Sequence, residues 1–423
     1  MANTFKKCSF CDTARDEAGK LLPTPDGKGA ICASCIEKGY ALLHMDDVKN
    51  SDTSEEGRVA IRMYTPKEMQ EHLNQYVIGQ DDAKKYLCSA VYNHYKKLKH
   101  FQGREAGDIE LDKSNVLMLG PSGCGKTYLV QKLADMFGVP FVIGDATTFS
   151  QAGYVGDDVE TMITRLFQKA TGSTIEEKIM RCETGIVFID EIDKIRRMGA
   201  GASITRDVSG EGVQQSLLKL LEGTQANVPL EMGRKHPNAP SIVIDTSRIL
   251  FICGGAFAHI GEVIEKRINK GKSGLGFGAE TISKSELEAQ KTKLLHKVST
   301  EDLIEYGLIP EFVGRLPVHV TLDQLNQEQL EKILLEPKNA ILKQYKLLFE
   351  MDGKELVFTE DAIKLVVEKA FEMKVGARAL RSIMERVLND LMFDIPSSKE
   401  KVFTIDKAFA EERFRKQERL EVA

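Results

Sequence analysis

The sequence predicts an α/β protein with three parts: a large domain on a parallel sheet, a mostly helical second domain, and a small metal-binding unit in front. Short, wholly apolar runs (VLML at 116–119, IVFI at 186–189, ILFI at 249–252) alternate with helical patterns. Buried strands of a parallel sheet covered on both faces read this way. From about residue 322 the pattern becomes that of amphipathic helices, at 327–349 and 360–372, with another past Gly376 to about Phe393. Two Cys-x-x-Cys pairs set off the first 45 residues.

These patterns divide the 423 residues into a metal-binding unit at 1–45, a linker at 46–63, a large α/β domain at 64–320 and a small domain at 321–423. Residues 46–63 are polar and poor in large apolar groups, as linkers are. A helix is expected to open at Thr65, with Pro66 at its first position and Glu68 where a capping-box carboxylate belongs. Asp81 to about His100 reads as a second helix, with Leu87, Val91 and Leu98 among its apolar positions. Residues 196–212 and 269–280 are rich in Gly and Ser and read as long loops, which in compact domains tend to be functional.

Composition narrows the function. A 42% hydrophobic and 29% charged chain is ordinary for a soluble globular protein. A net charge of −5 provides no basic field for nucleic acid. No run approaches the ~20 apolar residues that span a bilayer, and the N-terminus does not resemble a signal peptide. The expected setting is therefore cytoplasmic, without nucleic acid or membrane as partner. Of eight cysteines, Cys88, Cys124, Cys182 and Cys253 are scattered and read as core filling.

Gly120-Pro121-Ser122-Gly123-Cys124-Gly125-Lys126-Thr127 fits the P-loop pattern in full, between an apolar strand and a helical pattern. Glycines let the backbone curl so that N–H groups converge on phosphate, and the following helix offers its positive end. Lys126 is expected to reach the β- and γ-phosphates of ATP, and the Thr127 hydroxyl to bind Mg²⁺. The plainer alternative is a chance Gly-rich turn. Asp190 and Glu191 close the second apolar run, where α/β sheets place ligands. Asp190 would hold Mg²⁺ through water and Glu191 would activate the attacking water as general base. An acidic pair at a surface strand end is the bland reading.

Cys8, Cys11, Cys32 and Cys35 have the spacing of a tetrahedral Zn²⁺ site. Four thiolates leave no open position, so the role is structural. A unit of this size buries too little surface to fold securely without such a staple. A redox dithiol would leave the second pair unexplained.

GPSGCGKT, IVFIDEIDKI and GARALRS together resemble the AAA+ ATPases of the Clp/Hsp100 type. The likeness runs through nearly the whole chain: the cysteine pairs, YVIGQ, GYVG, RKHP, GLGF and EFVGRLPV follow in order. The resemblance implies an ATP-driven unfoldase that works as a homohexamer, threads protein substrates through its pore and delivers them to the ClpP peptidase. It implies that Val77 and Ile78 pack on adenine and that Arg378 touches the nucleotide from the small domain. Arg315 would act as an arginine finger on the neighbouring subunit's ATP. Tyr154 and Val155 would form a substrate-gripping pore loop and Arg206 part of a second. Arg234, Lys235 and His236 would form a cationic pore entrance, and Leu275, Gly276 and Phe277 a peptidase-docking loop. It also implies that the zinc unit docks adaptors or substrates and dimerises. Leu275 and Ala379 stand where the family often has Ile and Gly. No Ser or Cys lies in a recognisable protease setting, so proteolysis is expected from the partner. The competing reading is an AAA+ motor that remodels DNA, of helicase or clamp-loader type; it would share the ATP site but not explain Tyr154 or the Leu275–Phe277 loop.

Overall fold

The computed structural model describes residues 7–11, 13–14, 21–23, 29–33, 35–36, 61–101, 111–149, 158–197, 210–229, 241–269 and 294–422. The chain divides into two units, Met1–Arg62 and Met63–Ala423. In the first, β1 (Leu21–Pro23) pairs antiparallel with β2 (Ala30–Cys32). Among the described residues its core is Cys8, Leu21, Ala30 and Cys32. Residues 46–60 of the expected linker lie outside the described residues.

The second unit opens with α1 (Pro66–Asn74) and α2 (Asp81–Phe101). The expected capping box is formed: Glu68 N–H donates to Thr65 Oγ1 at 3.3 Å and Thr65 N–H to Glu68 Oε2 at 2.7 Å. There follow β3 (Val116–Leu119), α3 (Lys126–Phe137), β4 (Phe141–Asp145), α4 (Thr161–Lys169), α5 (Ile175–Glu183) and β5 (Ile186–Asp190). Next come α6 (Glu211–Glu222), the antiparallel pair β6 (Gln225–Pro229) and β7 (Ser241–Asp245), and β8 (Leu250–Gly255). Then follow α7 (Ile260–Asn269), α8 (Thr300–Tyr306), α9 (Pro310–Gly314) and β9 (Val318–Thr321).

Strands β4, β5, β8, β3 and β9, in that spatial order, form one parallel sheet. The three predicted apolar runs are its three central strands. Leu117, Val187 and Phe251 belong to one large core beneath the sheet, with Leu166 of α4, Leu217 of α6 and Phe312 of α9. All the strands run the same way, so β3 and β5 end on the same edge, and that edge carries the P-loop and the acidic pair.

After β9 the chain builds a separate core from α10 (Gln327–Leu335), α11 (Ile341–Met351), β10 (Glu355–Phe358), α12 (Glu360–Glu372), α13 (Arg378–Asp394), β11 (Val402–Ile405) and α14 (Lys407–Val422). This part is mostly helical, as expected, with β10 and β11 added as a parallel pair. The one continuous helix expected over 327–349 is two helices. Pro337 lies in the break, where its missing N–H and fixed φ oppose continuation.

An ion pair between a partly exposed arginine and a buried carboxylate fastens α7 to α8. Arg267 donates from Nε and Nη2 to the two oxygens of Asp302 at 2.7 and 2.8 Å, and Ser299 N–H caps the same carboxylate at 2.8 Å. Burial pushes the Asp302 carboxyl up, but the Arg267 guanidinium and the Ser299 donors outweigh it and hold it below the ordinary range. A lowered folded value means that the stabilisation is full above the unfolded carboxylate range and lost as pH falls through the folded value. Asp302→Asn should therefore cost about 1.5–3 kcal/mol at neutral pH, the range for hydrogen bonds to a charged group. Urea midpoints of parent and variant should converge as the medium is acidified; a gap that stays constant down to strongly acidic pH would contradict this.

Candidate functional site

The P-loop joins β3 to α3. Gly120 N–H donates to Gly255 O at the end of β8, 3.2 Å away, which fixes the loop to the sheet. Gly123 and Gly125 take φ of 75° and 103°. Gly123 also needs to be small: a Cβ there would lie 2.1 Å from the Val375 carbonyl oxygen. Lys126, at the start of α3, donates to the Gly120 and Pro121 carbonyls at 2.6 and 3.0 Å. Thr127 Oγ1 donates to Asp190 Oδ2 at 3.1 Å, so the hydroxyl and the strand-end carboxylate predicted to share a cation are in contact. Glu191 N–H donates to Asp190 Oδ1 at 2.9 Å. Glu191 takes φ of 57°, a left-handed backbone that costs a non-glycine residue about 1 kcal/mol or more. The residue is exposed at the strand end.

These groups line a cleft of about 970 Å³, a volume suited to a nucleotide. Ser122 to Thr127, Asp190 and Glu191 form its polar end. Val77 and Ile78 form an apolar wall with Leu325, Ile333 and Ile341. Arg378 and Arg381 enter from α13. Every residue expected to bind nucleotide therefore stands around this cleft except Pro121, whose carbonyl faces Lys126. Arg315 does not line it. Its guanidinium lies against Glu222 instead, with Nη2 2.9 Å from Oε1.

The sequence reading missed the residues that hold the cleft in shape. Lys84 is buried, and burial pulls its pKa down. Its Nζ donates to Asn74 Oδ1 at 2.7 Å and to the Val77 carbonyl at 2.8 Å, fixing the apolar wall from behind. The amide of Gln80 pairs with the backbone of Asp323: Nε2 donates to Asp323 O at 2.8 Å, and Asp323 N–H donates to Oε1 at 2.9 Å. Tyr128 and Asn339 bond across the cleft. Arg381 lies one helical turn from Arg378, a spacing that GARALRS displays, and donates to Gln344 at 2.6 Å.

In the first unit the sulfurs of Cys8, Cys11, Cys32 and Cys35 all lie within 4.8 Å of one another. Cys11 and Cys32 sulfurs are 3.8 Å apart. Bonds of about 2.3 Å from a central Zn²⁺ give a tetrahedral edge of about 3.8 Å, so the set fits the ion. Burial opposes ionisation of Cys8, but N–H groups of Phe10, Cys11 and Cys32 outweigh it and bring the thiol down to about 6. The hydrogen bond between the Cys35 and Cys11 sulfurs, with burial, pushes the Cys35 thiol up to about 12. Cys88, Cys124, Cys182 and Cys253 are buried, as expected of core filling, and burial raises all four.

Tyr154, Val155, Arg206, Arg234, Lys235, His236, Leu275, Gly276 and Phe277 lie outside the described residues. Among the described residues no helix is long and apolar enough to cross a membrane.

A P-loop on a parallel sheet, strand-end carboxylates, and a helical domain presenting arginines to the same cleft define an AAA+ ATPase, here preceded by a four-cysteine zinc unit. Comparison with known proteins agrees. Residues 111–319 match the AAA domain of the Cdc48 subfamily, 325–406 the C-terminal D2-small domain of ClpB, and 6–44 the ClpX C4-type zinc finger. Proteins named "ATP-dependent Clp protease ATP-binding subunit ClpX" are 50% identical in Borrelia duttonii and 47% in Treponema denticola, each over 93% of this chain, covering 88% and 90% of theirs. The Bacteroides thetaiotaomicron protein of that name is 45% identical over 98% of this chain and 97% of its own. The chain belongs to the ClpX family.

Zinc should therefore purify with the chain at about one ion per subunit. Cys32→Ser should lower that content severalfold while nucleotide binding by the second unit persists. Elemental analysis that finds the zinc content of the variant unchanged would reject this ligand set.

Proposed function

We propose that the chain is an ATP-dependent unfoldase and translocase that serves the ClpP peptidase as a homohexamer. The supporting observation is that one cleft is walled by both the sheet domain and the helical domain, so a nucleotide held there contacts two bodies at once. The relatives' name, an ATP-binding subunit of the Clp protease, supports the same reading.

Val77 and Ile78 receive the base, and the loop from Pro121 to Gly125 presents its N–H groups to the phosphates. Lys126 turns from the loop carbonyls to the β- and γ-phosphates. Thr127 and Asp190 hold Mg²⁺, which when bound neutralises phosphate charge. Glu191 takes the proton of the attacking water. Arg315 of one subunit meets the nucleotide of the next, which agrees with its distance from its own cleft. Arg378 reads the nucleotide from the small domain and turns its presence into rotation. Tyr154 and Val155 grip the client, aided by Arg206, while Arg234, Lys235 and His236 select acidic chain ends. Leu275, Gly276 and Phe277 anchor ClpP, and the zinc unit receives adaptors and clients. Cleavage belongs to ClpP, and the working compartment is the cytoplasm.

Two variants separate the chemistry from the grip. Glu191→Gln should bind a fluorescent ATP analogue like the parent and lose about 100-fold or more in turnover. Hydrolysis at the parental rate would remove Glu191 as base. Tyr154→Ala should keep ATPase activity and fail to degrade a folded, C-terminally tagged protein with ClpP and ATP. Normal degradation by that variant, or parental ATPase stimulated by DNA and not by unfolded protein, would overturn the reading.

A further inference from the structure

Arg315 sits at the end of α9, a five-residue helix, with its side chain about half exposed. Such a side chain sweeps many rotamers, and a group that must reach a neighbouring subunit's phosphate loses rate for each unproductive one. Here the guanidinium is held. Glu222, the last residue of α6, accepts from Arg315 Nε at 3.1 Å and lies 2.9 Å from Nη2 through the same oxygen, Oε1. This engages one edge of the guanidinium. Among the described residues Nη1 has no partner, so the opposite edge stays available for an anion.

The backbones beneath the two side chains are also joined. Asn115 is 1% exposed, and its Nδ2 donates both to Leu221 O at 3.2 Å and to Arg315 O at 3.0 Å. The same side chain leaves its own Oδ1 without a partner among the described residues. Asn115 immediately precedes β3, and β3 ends in the P-loop. The pose of Arg315 is thereby registered to the strand that carries its own subunit's nucleotide loop.

An exposed ion pair between free-standing side chains contributes little to stability. This one joins two backbones already tied through a buried amide, so its effect falls on geometry. We propose that Glu222 is a positioning residue that pre-orients Arg315 for the neighbouring subunit's ATP, with Asn115 setting the backbone beneath both. The inference rests on the reading of Arg315 as a finger acting in trans, and the test keeps the two apart.

The experiment is a double-mutant cycle on the full-length oligomer: Glu222→Gln, Arg315→Ala and the pair, each measured for ATPase kcat and KM and for binding of a fluorescent ATP analogue. Glu222→Gln should lower kcat about 3–10-fold with nucleotide binding unchanged, and should add less than about twofold on Arg315→Ala. Glu222→Asp, which keeps the charge, should recover part of the rate. If Arg315→Ala itself turns over normally, the finger reading fails. If Arg315→Ala is impaired but Glu222→Gln is not, or its loss persists undiminished in the Arg315→Ala background, the positioning role alone fails. A rise in kcat would mark Glu222 as a restraint and overturn the proposal. So would a loss of nucleotide binding as large as the loss of turnover, since that signals structural damage.

Discussion

The N–H of Ala377 donates to the carbonyl of Gly123 at 3.1 Å, and at that point the backbone of the P-loop rests on the backbone of the helical domain. A Cβ on Gly376 would come within 2.7 Å of the Gly123 oxygen, and one on Gly123 still closer to Val375. Neither glycine can grow without parting the two segments. Because the contact is backbone on backbone, the distance between the phosphate loop and the turn that opens α13 cannot be absorbed by side-chain adjustment. Arg378 lies two residues past Gly376. Anything that shifts the P-loop is therefore felt at the first turn of α13.

A second tie sits across the cleft. Gln80 pairs with the backbone of Asp323, just past β9 where the chain leaves the sheet. His296 holds the same stretch by bonding Asp323 Oδ1 at 2.7 Å and Thr321 Oγ1 at 2.9 Å. The segment that leads from the sheet to the helical domain is thus gripped by the residues that continue the apolar wall. Val77 is fixed in turn by Lys84, whose ammonium is too deeply buried to leave its acceptors cheaply. The two ties flank the cleft, one at the phosphate end and one at the apolar end. A pocket held this way is joined to both the sheet domain and the helical domain at each of its ends.

How much of this the sequence displays follows from the range of each interaction. The central strands β3, β5 and β8 were legible because both faces are covered and every residue can be apolar. The edge strands β4 and β9 were not, since their exposed positions break the run; Ile143 and Val318 sit at or near the surface. The P-loop and Asp190–Glu191 were legible because their chemistry is local. The break at Pro337 contains a proline that signals it, but the amphipathic pattern runs on through both helices. Gln80, Lys84, Asn115 and Glu222 read as ordinary polar residues in sequence. Gln80 meets Asp323 across 243 positions and Asn115 meets Arg315 across 200, and no pattern in a single chain announces such pairings.

The zinc unit and the ATP cleft show opposite ways of organising a polar site. The unit around Cys8 and Cys35 is small, so much of its order comes from bonds that a metal supplies, and the ligand spacing is written in the sequence because those bonds shape its fold. In the cleft, the sheet and its core already supply rigidity. The polar side chains of the cleft can then be few, held by contacts such as Thr127 to Asp190, and strain such as the left-handed turn at Glu191 is tolerated because the neighbouring strands over-determine it. The same logic accounts for Arg315. In the proposed role Arg315 serves a site on another molecule, which cannot pin it in advance, so its orientation is set within its own subunit, by Glu222 at the end of α6 and by Asn115 ahead of β3.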